Sequence, residues 1–255
     1  MNPLIAPMVA ARNRKGVRKA ASTGMKLSML VGAPCAAGLF VLGAPIMAML
    51  YHEVGESTDY YAISGFIGQI LRIGPDNFVS AYTISGGIMQ ISAIGVLFLS
   101  LVQTMTGIVQ GMGKQHVPVY FLIAGVVVKI STMLLLMKFT SLDILGAAIS
   151  TVLCYVVAGI GDTVYTIRKA NMRVNYFDTF GKPLLSALIM GVCVFFAYKL
   201  IYRMGHPTIA VLGGICVGVA VYAACLWLLH AFNKNDMEFI PGGKKIAKLF
   251  RVEDR

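Results

Sequence analysis

"VPVYFLIAGVVVKISTMLLLM", from Val117 to Met137, is the stretch that decides the fold class of this chain. A helix needs about 20 apolar residues to cross a hydrocarbon core of about 30 Å, and this stretch is that long. It holds a single charged side chain, that of Lys129. The pattern therefore predicts a transmembrane helix with an ammonium group inside it.

The rest of the chain repeats this apolar pattern. Of its 255 residues, 57% are hydrophobic and 13% are charged, and the mean hydropathy is +0.76. Such a composition is typical of an integral membrane protein. We expect an all-α membrane protein, a six-helix transmembrane bundle whose spans cover residues 26–50, 87–110, 117–137, 143–167, 184–202 and 208–231.

The connections divide the chain into three parts. Residues 1–25 predict a basic cytoplasmic lead-in, residues 26–232 the six-span domain, and residues 233–255 a basic amphipathic cytoplasmic tail, with a solvated tail as the alternative. An extracytoplasmic loop is expected at 51–86. Apolar residues at helical spacing between Ile63 and Leu71 predict a short surface helix there, or alternatively a re-entrant segment.

The net charge of +11 is better explained by membrane topology than by nucleic-acid binding. Seventeen of the 22 Lys and Arg residues lie before or at the start of the first span, in the second and fourth connections, or in the tail, and four lie on the other side. Because basic residues stay in the cytoplasm, both termini are expected there.

Motifs for enzymes and metals are missing from the sequence. The five cysteines form no CxxC pair and the four histidines have no metal-ligand spacing. The sequence has no HExxH, GxSxG or dinucleotide-binding pattern. We therefore expect no enzyme activity, no catalytic residues, no metal site and no cofactor.

Five segments in one order carry a resemblance to a known family. They are APMVAARNRKGVRKA, LVQTMTGIVQGMGKQHVP, GVVVKIS, LDILGAAISTVLCYVVAGIGD and GKPLLSALIMGV. Together they resemble the polysaccharide-exporter branch of the multidrug/oligosaccharidyl-lipid/polysaccharide flippase superfamily, in particular the stage V sporulation protein B group. The resemblance covers nearly the whole chain.

The resemblance implies a fold and a function. The chain would match the last six of about fourteen helices, and so the C-terminal lobe of a MATE-like flippase, with an N-terminal lobe missing. It implies flipping of lipid-linked, undecaprenyl-type saccharides or peptidoglycan precursors across the bacterial cytoplasmic membrane. The long 51–86 connection and Met133, where many relatives carry Asn, depart from the family pattern. The alternatives are a fragment of a MATE-type multidrug/cation antiporter, or a non-transporting membrane remnant or subunit.

Lys129 is the first candidate for a functional residue. Twelve residues at about 1.5 Å each place it about 18 Å from the start of its span, near the midplane. A charge there costs at least about 2.5–3.5 kcal/mol on insertion scales. It could contact a lipid pyrophosphate or a carboxylate in a wet cavity, or it could make a buried contact that only joins helices.

Asp162, Gln103 and Gln110 are further cavity candidates. Asp162 could relay protons or bind a cation, but its place near the end of a span favours the headgroup layer, beside Arg168 and Lys169. Gln103 and Gln110 are seven residues apart and so share one helix face. They could line a polar cavity or form hydrogen bonds between helices.

Two other groups of residues have a function implied by their position. Pro34 and Pro45 make the first span bendable, as a hinge for alternating access or as a static kink. Arg12, Arg14 and Lys15 could contact lipid headgroups, including those of a substrate, although the positive-inside rule also explains them. The QGMGK segment at Gln110–Lys114 predicts a tight turn, because it lacks phosphate-loop spacing.

Overall fold

The computed structural model of this chain describes residues 8–11, 14–50, 81–139, 143–171, 175, 177–203 and 207–229. Within these ranges the protein is helical and contains no strand. Six of the helices found there are long and apolar enough to cross a membrane. The chain is therefore an all-α, multi-pass membrane protein, which confirms the predicted fold class.

The helices follow one another with short connections where these are described. They are α1 (Arg14–Leu50), α2 (Ala81–Gly111), α3 (His116–Phe139), α4 (Asp143–Lys169), α5 (Lys182–Tyr202) and α6 (Pro207–Leu228). A π-helical turn, Phe177–Gly181, leads into α5. The surface helix predicted near residues 63–71 and the tail predicted at 233–255 lie outside the described residues.

The first helix begins earlier than the sequence predicts. Residues 14–25, assigned above to a lead-in, are the first turns of α1. One face of these turns is buried, and it packs against Leu101, Met105 and Ile108 of α2. The opposite face keeps Arg14, Lys15 and Arg18 exposed. A helix of 37 residues extends about 55 Å, so α1 is longer than a hydrocarbon core is thick.

The second helix also begins earlier than predicted, inside the segment 51–86 that was assigned to a loop. It starts at Ala81. Close packing on α1 explains this start, since a methyl group placed on Gly86 would lie 2.9 Å from Cβ of Ala44. The absence of a side chain at this position lets the first turns of α2 pack directly on the end of α1.

The turn between α2 and α3 has the form that the sequence predicts. The amide of Gly113 donates to the carbonyl of Gln110 at 2.9 Å, and that of Lys114 donates to the carbonyl of Val109 at 3.2 Å. Gly113 adopts a φ of +76°, a conformation that costs glycine little. Residues 112–115 are therefore a tight turn, and α2 and α3 run in opposite directions.

The helices pack in an order that differs from their order in the chain. α1 and α2 form an antiparallel pair, with Gly32 beside Ser100 and Gly43 beside Met89. α4 packs on α2, α3 packs on α4, and α5 and α6 pack on α1 and on each other. α3 is consequently the most peripheral helix: 6% of its apolar stretch is buried, against 33–39% in the other five.

Two apolar clusters divide α1 along its length. The first cluster joins the part from Val17 to Met29 to α2. The second joins Ala33 and Leu42 to α5 and α6. Pro34 lies where the second cluster begins. α1 therefore packs on α2 along its length, and from Ala33 onward it also packs on α5 and α6.

Candidate functional site

Lys129 lies near the middle of α3, on the edge of the face that packs against α4. Counting from His116 at about 1.5 Å per residue, it is about 20 Å along a helix of about 36 Å. Its side chain is half-buried, while its neighbour Ile130 is 54% exposed. No residue in the described part of the chain forms a hydrogen bond or an ion pair with it. Its mid-span position agrees with the prediction.

The α3–α4 contact is close because a glycine faces it. A methyl group placed on Gly125 would lie 2.8 Å from the carbonyl oxygen of Cys154 and 3.0 Å from its Sγ. Further along the interface, Gly161 faces the ring of Phe121, and Gly146 faces Leu136. Because the two helices run antiparallel in this register, Lys129 lies level with Thr151 and Val152 of α4.

Asp162 lies between α2 and α4. The sequence favours a position in the headgroup layer beside Arg168 and Lys169, and the structure adds that the side chain is 1% exposed. Its Oδ2 accepts a hydrogen bond of 2.8 Å from Oγ1 of Thr106. Its Oδ1 is buried and has no hydrogen-bond partner among the described residues. The rotation of α4 about its axis turns this side chain towards α2. Counting residues from the end of the span gives the depth of Asp162 but not this rotation.

Lys129 and Asp162 do not form a pair. In the antiparallel register Asp162 lies level with Tyr120 and Phe121, about nine residues before Lys129 on α3. Nine residues correspond to about 14 Å along the helix. This separation along the helices keeps the two charged groups from forming an ion pair.

Gln103 and Gln110 share one face of α2, as their spacing predicts. Gln103 is exposed and Gln110 is half-buried. Ser92, eleven residues before Gln103, lies on the same face within about 20° and is also exposed. Sequence analysis missed Ser92, although its spacing from Gln103 is a whole number of helical turns. These residues form the polar face of α2, defined by Ser92, Gln103 and Gln110.

The prolines of α1 both lie within the helix. Pro34 removes the donor for the carbonyl of Leu30, because a helical amide bonds to the carbonyl four residues earlier. Oη of Tyr222, on α6, donates to that carbonyl at 2.7 Å. The sequence signal for this contact is the proline itself, which identifies the carbonyl that needs a donor.

The remaining candidates lie at the start of α1. Arg14 and Lys15 are exposed in its first turn. Arg12 lies outside the described residues. Within the described ranges, no three His, Cys, Asp or Glu side chains lie close enough together to hold a metal ion.

Comparison with curated proteins finds a match to an uncharacterized membrane protein, YabM, of Bacillus subtilis (strain 168). The two are 25% identical over 261 residues, which cover 99% of this chain and 43% of that relative. The chain thus spans less than half the length of the relative that it matches. No family model and no solved structure matches the chain.

Proposed function

We propose that this chain is one lobe of a flippase that moves a lipid-linked oligosaccharide, polysaccharide or peptidoglycan precursor across the bacterial cytoplasmic membrane. In this proposal both termini are cytoplasmic, and a second group of helices completes the transporter. The transported headgroup passes between the two parts as they rock against each other.

The observation that carries the proposal is the environment of Lys129. An ammonium group near the centre of a span costs at least about 2.5–3.5 kcal/mol on insertion scales. No group among the described residues offsets that cost by a hydrogen bond or an ion pair. The charge therefore needs water or an anion, and the pyrophosphate of a lipid-linked saccharide is an anion of the required kind.

The polar face of α2 supports the proposal from a second helix. A glutamine and a serine that face lipid tails leave their hydrogen-bonding groups unsatisfied, at a cost of several kcal/mol. Gln103 and Ser92 are nevertheless exposed. A water-filled cavity lined by this face removes the cost and offers hydrogen bonds to sugar hydroxyls.

The length of the relative supports the proposal that further helices complete the transporter. The match covers 43% of YabM and 99% of this chain. The remaining length of the relative leaves room for further membrane helices, and in the proposal these helices form the opposite wall of the cavity. The exposed face of α3, beside Lys129, is one surface that they would cover.

The test is transport by the complete transporter carrying Lys129→Ala, reconstituted in vesicles with a fluorescent lipid-linked saccharide. We expect loss of transport with an unchanged amount of protein in the membrane. Lys129→Arg keeps the charge and retains part of the activity. Lys138→Ala, at the exposed end of the same helix, is the matched control and transports normally. Normal transport by Lys129→Ala would refute the proposed role.

The burial of Asp162 favours a second candidate, a multidrug/cation antiporter. A buried carboxylate with one oxygen lacking a partner requires a proton or a bound cation. An antiporter exchanges such an ion for its substrate. Cation-driven drug uptake into vesicles that is abolished by Asp162→Asn but unaffected by Lys129→Ala would favour this candidate over the flippase.

A further inference from the structure

Pro34 creates a specific defect in α1. A proline has no amide hydrogen, so the carbonyl of Leu30 cannot form its usual bond within the helix. In a membrane such a carbonyl has no water to bond, and leaving it unsatisfied is costly. A neighbouring group must therefore supply a donor wherever this proline is kept.

Tyr222 supplies that donor from a helix far away in the sequence. Its Oη donates to the carbonyl oxygen of Leu30 at 2.7 Å, across a separation of 192 residues. Its side chain is 8% exposed and packs in the same apolar cluster as Ala33 and Leu42 of α1. The Tyr222 side chain is therefore largely shielded, although the bond itself is part-buried.

The bond lies where α1 begins to pack on α5 and α6 in addition to α2. Before the proline, the helix packs on α2, and Oγ of Ser100 also donates to the carbonyl of Ser28 at 3.2 Å. After the proline, α1 also packs on α5 and α6, and it still contacts α2, where Gly43 lies beside Met89. A change in the angle at Pro34 would move the start of α1 relative to α6, and such a change must alter or break the bond to Leu30.

We infer that Tyr222 is a conformational latch for α1: its hydroxyl fixes the geometry of the helix at Pro34 by bonding the carbonyl that the proline leaves free. While the bond is intact, α6 and the parts of α1 before and after Pro34 keep one relative orientation. When it breaks, the helix can bend at Pro34. The inference rests on the proposed function only for the rocking motion that this hinge would serve.

A double-mutant cycle tests the latch without any substrate. Tyr222→Phe removes one hydroxyl, and we expect it to lower the folded-to-unfolded ratio in detergent micelles about three- to tenfold, the effect of one hydrogen bond. In a Pro34→Ala background the amide of residue 34 bonds Leu30 itself, so the same change has less than about a twofold effect. Pro34→Leu is a second background that restores the amide.

The matched control is Tyr155→Phe on α4. Its side chain is also part-buried in the bundle, but its hydroxyl forms no hydrogen bond among the described residues. We expect this control to be equally neutral with and without the proline. Equal effects of Tyr222→Phe in the proline and proline-free backgrounds, or no effect in either, would overturn the latch.

A distance measurement reads the hinge directly. Spin labels at the exposed positions Lys15 and Leu50, one near each end of α1, report its bend. Tyr222→Phe should broaden the distance distribution when Pro34 is present and leave it unchanged in Pro34→Ala. An unchanged distribution in both backgrounds contradicts the latch. Because neither experiment measures transport, a failed latch and a failed flippase assignment remain distinguishable.

Discussion

Lys129 and Asp162 both lie inside membrane-spanning helices that pack on each other, and the bundle surrounds them differently. Lys129 is half-buried at the edge of α3, and no described residue bonds to it. Asp162 is fully buried, and Thr106 donates to it from α2. The protein therefore provides a hydrogen bond to the aspartate. The lysine receives none from the described residues and needs water or another partner.

The difference follows from the positions of the two helices. α4 contacts both α2 and α3, so a side chain on it can reach donors on two neighbours. α3 packs mainly on α4 and is peripheral in the bundle, so one flank of Lys129 faces away from it. A charge at the periphery of a helix bundle can meet a ligand or further helices, whereas a charge in its interior can act only by exchanging an ion or by bonding to its neighbours.

Neutralising Lys129 should have the largest effect on stability. Lys129→Met keeps the length of the side chain and removes a charge that has no bonded partner among the described residues. In this chain alone, with no further helices or substrate anion to solvate that charge, we expect the free energy of unfolding to rise by about 2–3 kcal/mol. Unfolding in mixed micelles by a denaturing detergent measures the change. A less stable variant would contradict the difference between Lys129 and Asp162, since that result requires a compensating partner for the ammonium group.

Lys138→Met is the control for this prediction. It makes the same substitution on the same helix, at an exposed position in the last turn. We expect its free energy of unfolding to change by less than about 0.5 kcal/mol.

Separating α3 from α4 should have the next largest effect. Gly125→Leu places a side chain against the carbonyl of Cys154, which a methyl group alone would approach to 2.8 Å. Overpacking of this kind lowers the free energy of unfolding by about 1–3 kcal/mol. Ala124→Leu, at the adjacent exposed position, should be nearly neutral. Equal effects in the two variants would mean that the glycine contact does not set the helix separation.

Removing the donor to Asp162 should have the smallest of the three effects. Thr106→Val keeps the shape of the side chain and removes the donor to Oδ2, so that neither carboxylate oxygen of Asp162 has a side-chain donor among the described residues. We therefore expect a loss of about 1–2 kcal/mol in the free energy of unfolding. The control is Thr104→Val, since Thr104 is half-buried on the same helix and has no bonded side-chain partner in the described part of the chain. A loss as large in the control would show that the bond to Asp162 contributes nothing specific.

The agreement between sequence and structure varies with the kind of interaction that decides each feature. The ends of α3 and α4 lie within a few residues of the predicted spans, because the length of an apolar run is visible in the sequence. The predicted start of α1, at residue 26, was wrong. The basic residues before it suggest a solvated segment, but the other side of these turns is a buried face of small side chains. The burial of that face can be recognised only from the tertiary structure, in which Leu101, Met105 and Ile108 pack on it.

In the candidate site too, spacing along one helix is predictable from the sequence and packing between helices is not. The spacing of Gln103 and Gln110 predicts their common face, but no spacing predicts that the face around Gln103 is exposed. The burial of Asp162 against α2 is likewise not predicted by spacing along one helix. Thr106 is 56 residues away in the chain, and the meeting of the two side chains depends on how α2 and α4 are rotated.

The sequence by itself determined the membrane class, the six spans, the mid-span position of Lys129 and the carbonyl that Pro34 leaves without a donor. Each of these depends on counting residues along one helix, at about 1.5 Å and 100° per residue. Only the tertiary structure decided which groups meet: Thr106 with Asp162, Tyr222 with Leu30, and none of the described residues with Lys129. The physical reason is that such meetings depend on the rotation and order of helices from distant parts of the chain.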